Sequence, residues 1–202
     1  MHARKTIAAL LASAFALTAG ANSPAIADST GAPAVHLLPS PSAHQKSEFV
    51  AQARRAGLTA SQATHLQSRV NGYLKRLGGT QVAINKIVLG KKDILLLALP
   101  GEKRARDLSI SPKPLPAAAN TCHYGYFCAY SSTNFYGDAI NMYSCAVYSI
   151  TWVTRGSWSN NQSKGTKAKM YSYSGGVVYT TPGAPYVATN GNWNGIGAVQ
   201  NC

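Results

Sequence analysis

The sequence predicts an all-β C-terminal domain preceded by a small α+β region of one helix and one hairpin. Three observations carry that prediction. Towards the C-terminus, short apolar runs alternate with clusters of Gly, Asn, Ser and Pro at strand-and-turn spacing. Upstream, one segment repeats its apolar residues at helical spacing and ends on two glycines. All four cysteines fall in the β-rich part, an even number in a stretch small enough to gain from cross-links.

At the N-terminus, Arg4 and Lys5 precede an apolar run over 7–19, and Ala25-Ile26-Ala27 offers the small-x-small pattern at which a secretory signal is cut. Residues 1–27 therefore read as a signal peptide and 28–47 as a flexible N-terminal segment of an exported protein. The run falls short of the about 20 apolar residues that a spanning helix needs, and no later stretch compensates, so no transmembrane segment is expected.

Residues 48–108 read as a basic helix-hairpin propeptide or accessory region. Thr59-Ala60-Ser61-Gln62 has the form of a capping box, and Ala63, Leu66, Val70, Tyr73, Leu74 and Leu77 share a helix face until Gly78-Gly79. Two β-rich stretches, 80–89 and 94–99, are joined by Gly90-Lys91-Lys92-Asp93, which has the size and chemistry of a hairpin turn. Over 46–113 there are 13 Lys and Arg against four acids, so most of the +13 charge resides here. Pairs such as Arg54-Arg55 and Lys91-Lys92 suit phosphate contacts, but only Phe49 and Tyr73 offer rings for stacking, and no dedicated nucleic-acid site is expected. The Lys103-Arg104-Ala105-Arg106 run borders a Pro-rich linker over 109–120, "SISPKPLPAAAN", and reads as an accessible place for proteolysis.

Residues 121–202 carry alternating runs at Ile140 and Met142, at Tyr148, Ile150 and Trp152, at Ala168 and Met170, and over 177–179. They are punctuated by Tyr136-Gly137-Asp138, Ser159-Asn160-Asn161, Ser174-Gly175-Gly176 and Pro182-Gly183, which indicates a small sandwich or barrel. Ten of the 11 tyrosines and all three tryptophans are here, and a β core short of Leu and Phe has to be built from them. Tyr136 and Trp193, the latter in the loop-like "TNGNWNGIG", are the candidates for exposed contacts. The expected disulfides, one of three possible pairings, are Cys122 with Cys128 and Cys145 with Cys202. Tyr124-Gly125 allows a tight turn inside the first, and the second then ties down the C-terminus. Five residues between Cys122 and Cys128, with no Cys/His pair downstream, argue against zinc.

Within "CHYGYFCAYSSTNFYGD", residues 122–138, Tyr130-x-x-x-x-Phe135-x-Gly137 sets two aromatics five apart with a glycine two residues after the second. Tyr130 on a strand and Phe135 in a folded-over turn can stack, while Gly137 takes backbone angles that a Cβ obstructs. This spacing resembles the Greek-key signature of βγ-crystallin-type domains. The wider frame of cysteines, aromatics and glycine resembles the secreted actinobacterial domains grouped with the Streptomyces metalloproteinase inhibitor. The resemblance covers residues 120–202, with a degenerate echo of the corner at Tyr171-Ser172-Tyr173-Ser174-Gly175-Gly176. It implies a βγ-crystallin-like Greek-key sandwich and inhibition of an extracellular peptidase by a rigid, disulfide-braced loop, which gains affinity from preorganisation and needs no catalytic residue. The inhibitor that names the family braces its reactive loop with a second close cysteine pair; Cys145 and Cys202 are far apart, so no reactive-site residue is carried over.

Many βγ-crystallin domains bind calcium through Asn/Asp-Asn/Asp-x-x-Ser/Thr-Ser. Asn160, Asn161 and Ser163 echo that loop, but Lys164 and Gly165 replace the hydroxyl pair and Asp138 is the only carboxylate of the domain, so neither a metal nor a cofactor is expected. Glycoside hydrolysis needs two carboxylates, and a Ser or Cys nucleophile needs a base where His123 is the only histidine after residue 65. The expectation is a secreted, monomeric, non-enzymatic protein whose partner is an extracellular protease. A module that binds the cell envelope or a polysaccharide, such as that of the cell wall, through exposed rings is the alternative.

Overall fold

Two helices and eleven strands form in the computed structural model, which describes residues 42–108 and 122–202. The expected signal peptide, residues 28–41 of the N-terminal segment and the linker over 109–120 lie outside the described residues.

Helix α1 (Ala43–Arg55) begins within the segment expected to be flexible. Its Ser42 hydroxyl accepts the Gln45 N–H at 3.2 Å while the Gln45 side chain accepts the Ser42 N–H at 2.9 Å, a reciprocal cap. Only Phe49 and Ala53 are buried along it, too few to write a periodicity. Helix α2 (Ala60–Leu77) is the one the pattern predicts, capped by Thr59 with Gln62, burying Leu66, Val70 and Tyr73, and ending at Gly78.

Strands β1 (Thr80–Ala83), β2 (Lys86–Val88) and β3 (Ile94–Leu96) make a three-stranded meander, where the sequence suggested two strands. The chain folds back at Ile84-Asn85, because the buried Asn85 amide donates to the carbonyls of Leu97 and Arg106, each at 2.9 Å. The remaining strands are β4 (Tyr126–Tyr130), β5 (Ala139–Met142), β6 (Val147–Ser149), β7 (Arg155–Asn161), β8 (Lys169–Ser172), β9 (Val177–Thr180), β10 (Tyr186–Asn192) and β11 (Ile196–Gln200). All ladders between them are antiparallel. They build a seven-stranded sheet, β1-β2-β3-β5-β4-β7-β10, and a four-stranded sheet, β6-β11-β8-β9. Each consecutive set of four from β4 onwards gives its third strand to the other sheet, β6 to the smaller and β10 to the larger.

Ser159-Asn160-Asn161, expected as a turn, lies inside β7, flanked by β4 and β10. Its polarity is accommodated because the Asn160 amide, fully buried, donates to Thr166 O at 2.8 Å. Ile150 and Trp152 follow β6 as buried core residues outside any strand.

Strand alternation splits β4 between two cores. Phe127 and Ala129 join the main core with Ile140 and Met142; Cys128 and Tyr130 point the other way, with Cys122, Leu96, Ala98, Ala105 and Ala139. The main core takes Leu66, Val70, Tyr73, Leu95 and Leu97 from the basic region together with Trp152, Trp158, Met170, Trp193 and Val199 from the C-terminal region. β3 is hydrogen-bonded to β5, with Leu95 opposite Ile140. The boundary drawn at 109–120 therefore does not divide two folding units; the described residues fall in one compact unit. The Lys103-Arg104-Ala105-Arg106 run is likewise no accessible cleavage site. Arg104, Ala105 and Arg106 are buried, Gly137 N–H donates to Lys103 O at 2.7 Å, and Ala105 N–H donates to Gly137 O at 3.1 Å.

Candidate functional site

The aromatic corner holds the fold together. Tyr130 is buried and its ring meets Phe135 edge to face with centroids 5.4 Å apart. Asn134, Phe135 and Gly137 have φ of 56°, 60° and 79°, and a bulky residue at positive φ needs support from its surroundings. Ser157 supplies it, accepting the Phe135 N–H at 2.9 Å and donating to Ser132 O at 2.6 Å. Tyr136 is half-buried, with the Arg104 guanidinium 4.6 Å over its ring, and so is less open than the sequence suggested. A Cβ at Gly137 would overlap the Ser131 hydroxyl, which is fixed by accepting the Asp138 N–H at 2.8 Å. Gly137→Val is accordingly expected to lower stability by about 1–3 kcal/mol; an unchanged urea midpoint would show that the corner tolerates a side chain.

Two buried carboxylates fasten the basic region to the strands that follow. Asp138 accepts from the Arg69 guanidinium, from the Tyr73 hydroxyl at 2.7 Å and from the Ala98 N–H at 2.9 Å, and the Trp152 indole donates to Tyr73 Oη at 2.7 Å. Burial, then the adjacent Asp138 charge, push the Tyr73 phenol well above its usual range. Asp93 accepts the N–H groups of Tyr143 at 2.6 Å and Ser144 at 2.9 Å. Burial alone would raise its pKa, but these hydrogen bonds outweigh it and hold the carboxyl below the usual range. A pKa depressed in the folded state gives stability that is present above the unfolded carboxylate value of about 3.9 and lost as pH falls through the folded value. Acidification is thus expected to lower the unfolding midpoint less steeply in Asp93→Asn than in the parent; identical acid profiles would contradict the assignment.

The surface the sequence did not single out is the loop closed by Cys122–Cys128. This bridge and Cys145–Cys202 both form, with Cα separations of 5.7 and 5.5 Å. Asn161 clamps the loop from β7: its carbonyl accepts the Gly125 N–H at 2.8 Å and its amide donates to Cys122 O at 3.0 Å. Tyr126 N–H closes the turn onto His123 O at 3.2 Å, and Gly125 supplies the φ of 89° that the turn requires. The bridge and the turn leave Tyr124 at the tip, 74% exposed. Behind it, Tyr126 packs on Tyr143 at 5.1 Å with the rings tilted by 55°, and the Lys92 ammonium lies 4.3 Å over Tyr143. The loop thus carries an exposed Tyr124 at its tip, while the half-buried Tyr126 joins Tyr143 and Lys92 in a packed group. The signal in the sequence is Tyr124-Gly125 between two cysteines, which by itself specifies a turn and not an exposed ring.

The other expected positions serve the interior. Trp193 is fully buried; its indole donates to Tyr130 O at 2.7 Å and its ring packs on Trp152 and Trp158 at 6.0 and 5.4 Å. Asn160 and Asn161 are neighbours, but their amides are engaged by Thr166, Gln162 and Cys122, and Ser163 stands exposed beyond them. No group of three or more His, Cys, Asp or Glu side chains positioned to hold a metal occurs among the described residues. His123 flanks Tyr126 edge-on at 6.5 Å. Among the described residues no helix is long and apolar enough to cross a membrane. No known family model matches the chain, and no curated protein or solved structure is found to be similar to it.

Proposed function

We propose that the protein is an exported, non-enzymatic inhibitor of an extracellular peptidase, and that the braced loop 122–128 is the element it offers to the target's cleft. The observation that carries this reading is Tyr124, a large ring 74% exposed at the tip of a loop closed by a disulfide and clamped by Asn161. A rigid loop loses little conformational entropy on docking, and an exposed tyrosine buries much apolar area for few rotatable bonds. Asp138, the one carboxylate after the linker, is occupied by Arg69, Tyr73 and Ala98, which leaves that region without an acid for hydrolytic chemistry. The exchange of third strands between the sheets, together with the corner at Tyr130, Phe135 and Gly137, supports a βγ-crystallin-like Greek-key sandwich and with it the resemblance to the metalloproteinase-inhibitor domains.

Polysaccharide binding is less well supported. A sugar face stacks on open rings; Tyr124 and Tyr173 are exposed, but the two rings singled out in the sequence are not available, since Trp193 is buried and Tyr136 lies under Arg104, and Tyr126 and Tyr143 pack against each other at 55°. The test is to measure inhibition of a panel of extracellular metallo- and serine peptidases by the purified protein, with retention on insoluble cell-wall polysaccharide in parallel. Saturable inhibition of a panel member is the expected result. Retention on the polysaccharide without inhibition would overturn the proposal in favour of the alternative.

A further inference from the structure

The exposed face of α2 carries side chains that the features above do not use, beside Arg69, which Asp138 already engages. His65, Ser68, Arg69, Gly72 and Arg76 recur three, four, seven and eleven residues along the helix, which sets them in one stripe, and with Tyr73 they line a shallow cavity of about 300 Å³. Gly72, inside an 18-residue helix where glycine is unfavourable, belongs to this lining, and a Cβ added there would be in ordinary van der Waals contact with Arg76 Nη1 at 3.4 Å. The Arg76 guanidinium is held 5.1 Å over the Tyr73 ring, and among the described residues no carboxylate is in ion-pair contact with it. Arg69, on the same stripe, donates from Nη1 to Ala98 O at 3.0 Å and from Nη2 to Asp138. Guanidinium has five N–H donors, so these two bonds leave others to a ligand. Asp138 offsets the Arg69 charge, and Arg76 supplies the net positive charge of the cavity.

The surroundings reinforce that charge. Five of the six acids lie among the described residues. Asp93 and Asp138 are buried, and Glu102 and Asp107 pair with Arg106 and Lys86. Among the described residues Glu48 is the one exposed acid, so their solvent-facing surface presents cations almost alone and draws anions towards it.

We infer that the stripe His65, Ser68, Arg69, Arg76 is a binding site for a phosphate-type oxyanion, carried either by a small phosphate or by the phosphodiester units of a polymer. The Arg76 guanidinium fork, the N–H groups that Arg69 has left, an imidazole and a hydroxyl offer several donors to a tetrahedral anion, which a planar carboxylate would use only in part. The site shares no residue with the braced loop, so it can be occupied whether or not the loop engages a peptidase.

Calorimetry and amide chemical-shift mapping with inorganic phosphate and with poly(glycerol phosphate), each at low and physiological salt, test this. Saturable, salt-sensitive binding is expected, with shifts at Ser68, Gly72 and Arg76. Arg76→Gln should weaken it about tenfold, while Lys167→Gln, an exposed cation remote in sequence, leaves it unchanged. Binding of the polymer alone identifies a phosphodiester chain as the ligand, and equal binding of free phosphate identifies the small anion. Absence of binding by both probes, or equal weakening by Lys167→Gln and Arg76→Gln, overturns the site in favour of diffuse attraction by net charge. Should Arg76→Gln be poorly folded, shift mapping on the unsubstituted protein separates the two cases: shifts confined to the stripe support the site, and shifts spread over the basic surface overturn it.

Discussion

Residues 122–202 produced without the basic region are expected not to reach a cooperative native state. Removing β3 strips the ladder from β5, and removing α2 and β3 takes Leu66, Val70, Tyr73, Leu95 and Leu97 out of the core they share with Ile140, Met142 and Trp152. At about 1.5–3 kcal/mol for each buried side chain, the loss is on the order of 10 kcal/mol, comparable with the whole stability of an ordinary domain. Near-ultraviolet circular dichroism and the sharpness of the urea transition read the outcome. A fragment that melts cooperatively with a native-like aromatic spectrum would restore the picture of an independent domain with a dispensable accessory region.

Asp138→Ala should be the most damaging single substitution at the junction, by about 3–5 kcal/mol. It leaves the Arg69 guanidinium, the Tyr73 hydroxyl and the Ala98 N–H without their acceptor in one step, with the Asp138 side chain and Tyr73 both inside the protein. Tyr73→Phe removes one of these donors and one acceptor, that of the Trp152 indole, and should cost about 1–3 kcal/mol. Urea unfolding of both variants checks the pair. A loss below about 1 kcal/mol for Asp138→Ala would mean that the network carries no net stability.

The parts of this fold that were legible in the sequence are those set by local interactions. α2 could be read because a capping box and an apolar stripe occur within one helix, and the corner could be read because Tyr130, Phe135 and Gly137 meet across a single turn. Strands β7 and β10 could not, because they are rich in Gly, Asn and Ser; small residues there admit the indoles, as at Gly156 beneath Trp193 and Gly191 beneath Trp158. Trp193 does lie in the loop between β10 and β11, but that loop folds inward and the indole is buried rather than exposed. One non-local fact was written in plain view. The continuous apolar run over 94–99 marks a strand buried on both faces, which a free hairpin with one helix cannot provide. Leu95 and Leu96 do face the two different cores. Exposure of Tyr124, by contrast, depends on how Asn161 of β7 holds Cys122 across a separation of 39 residues, and no local pattern encodes that.

The claim that most of the functional account rests on is that Tyr124 on its braced loop makes the contact with the target. The direct measurement is the inhibition constant of Tyr124→Ala, set against that of the parent, for the panel peptidase that the proposal expects the parent to inhibit, with the unfolding midpoint measured alongside. A ring 74% exposed contributes little to the core, so the midpoint should not move. Loss of an anchoring tyrosine of at least about 2 kcal/mol should raise the inhibition constant by about thirtyfold or more. A Tyr124→Ala protein that is folded and inhibits as tightly as the parent would contradict the account.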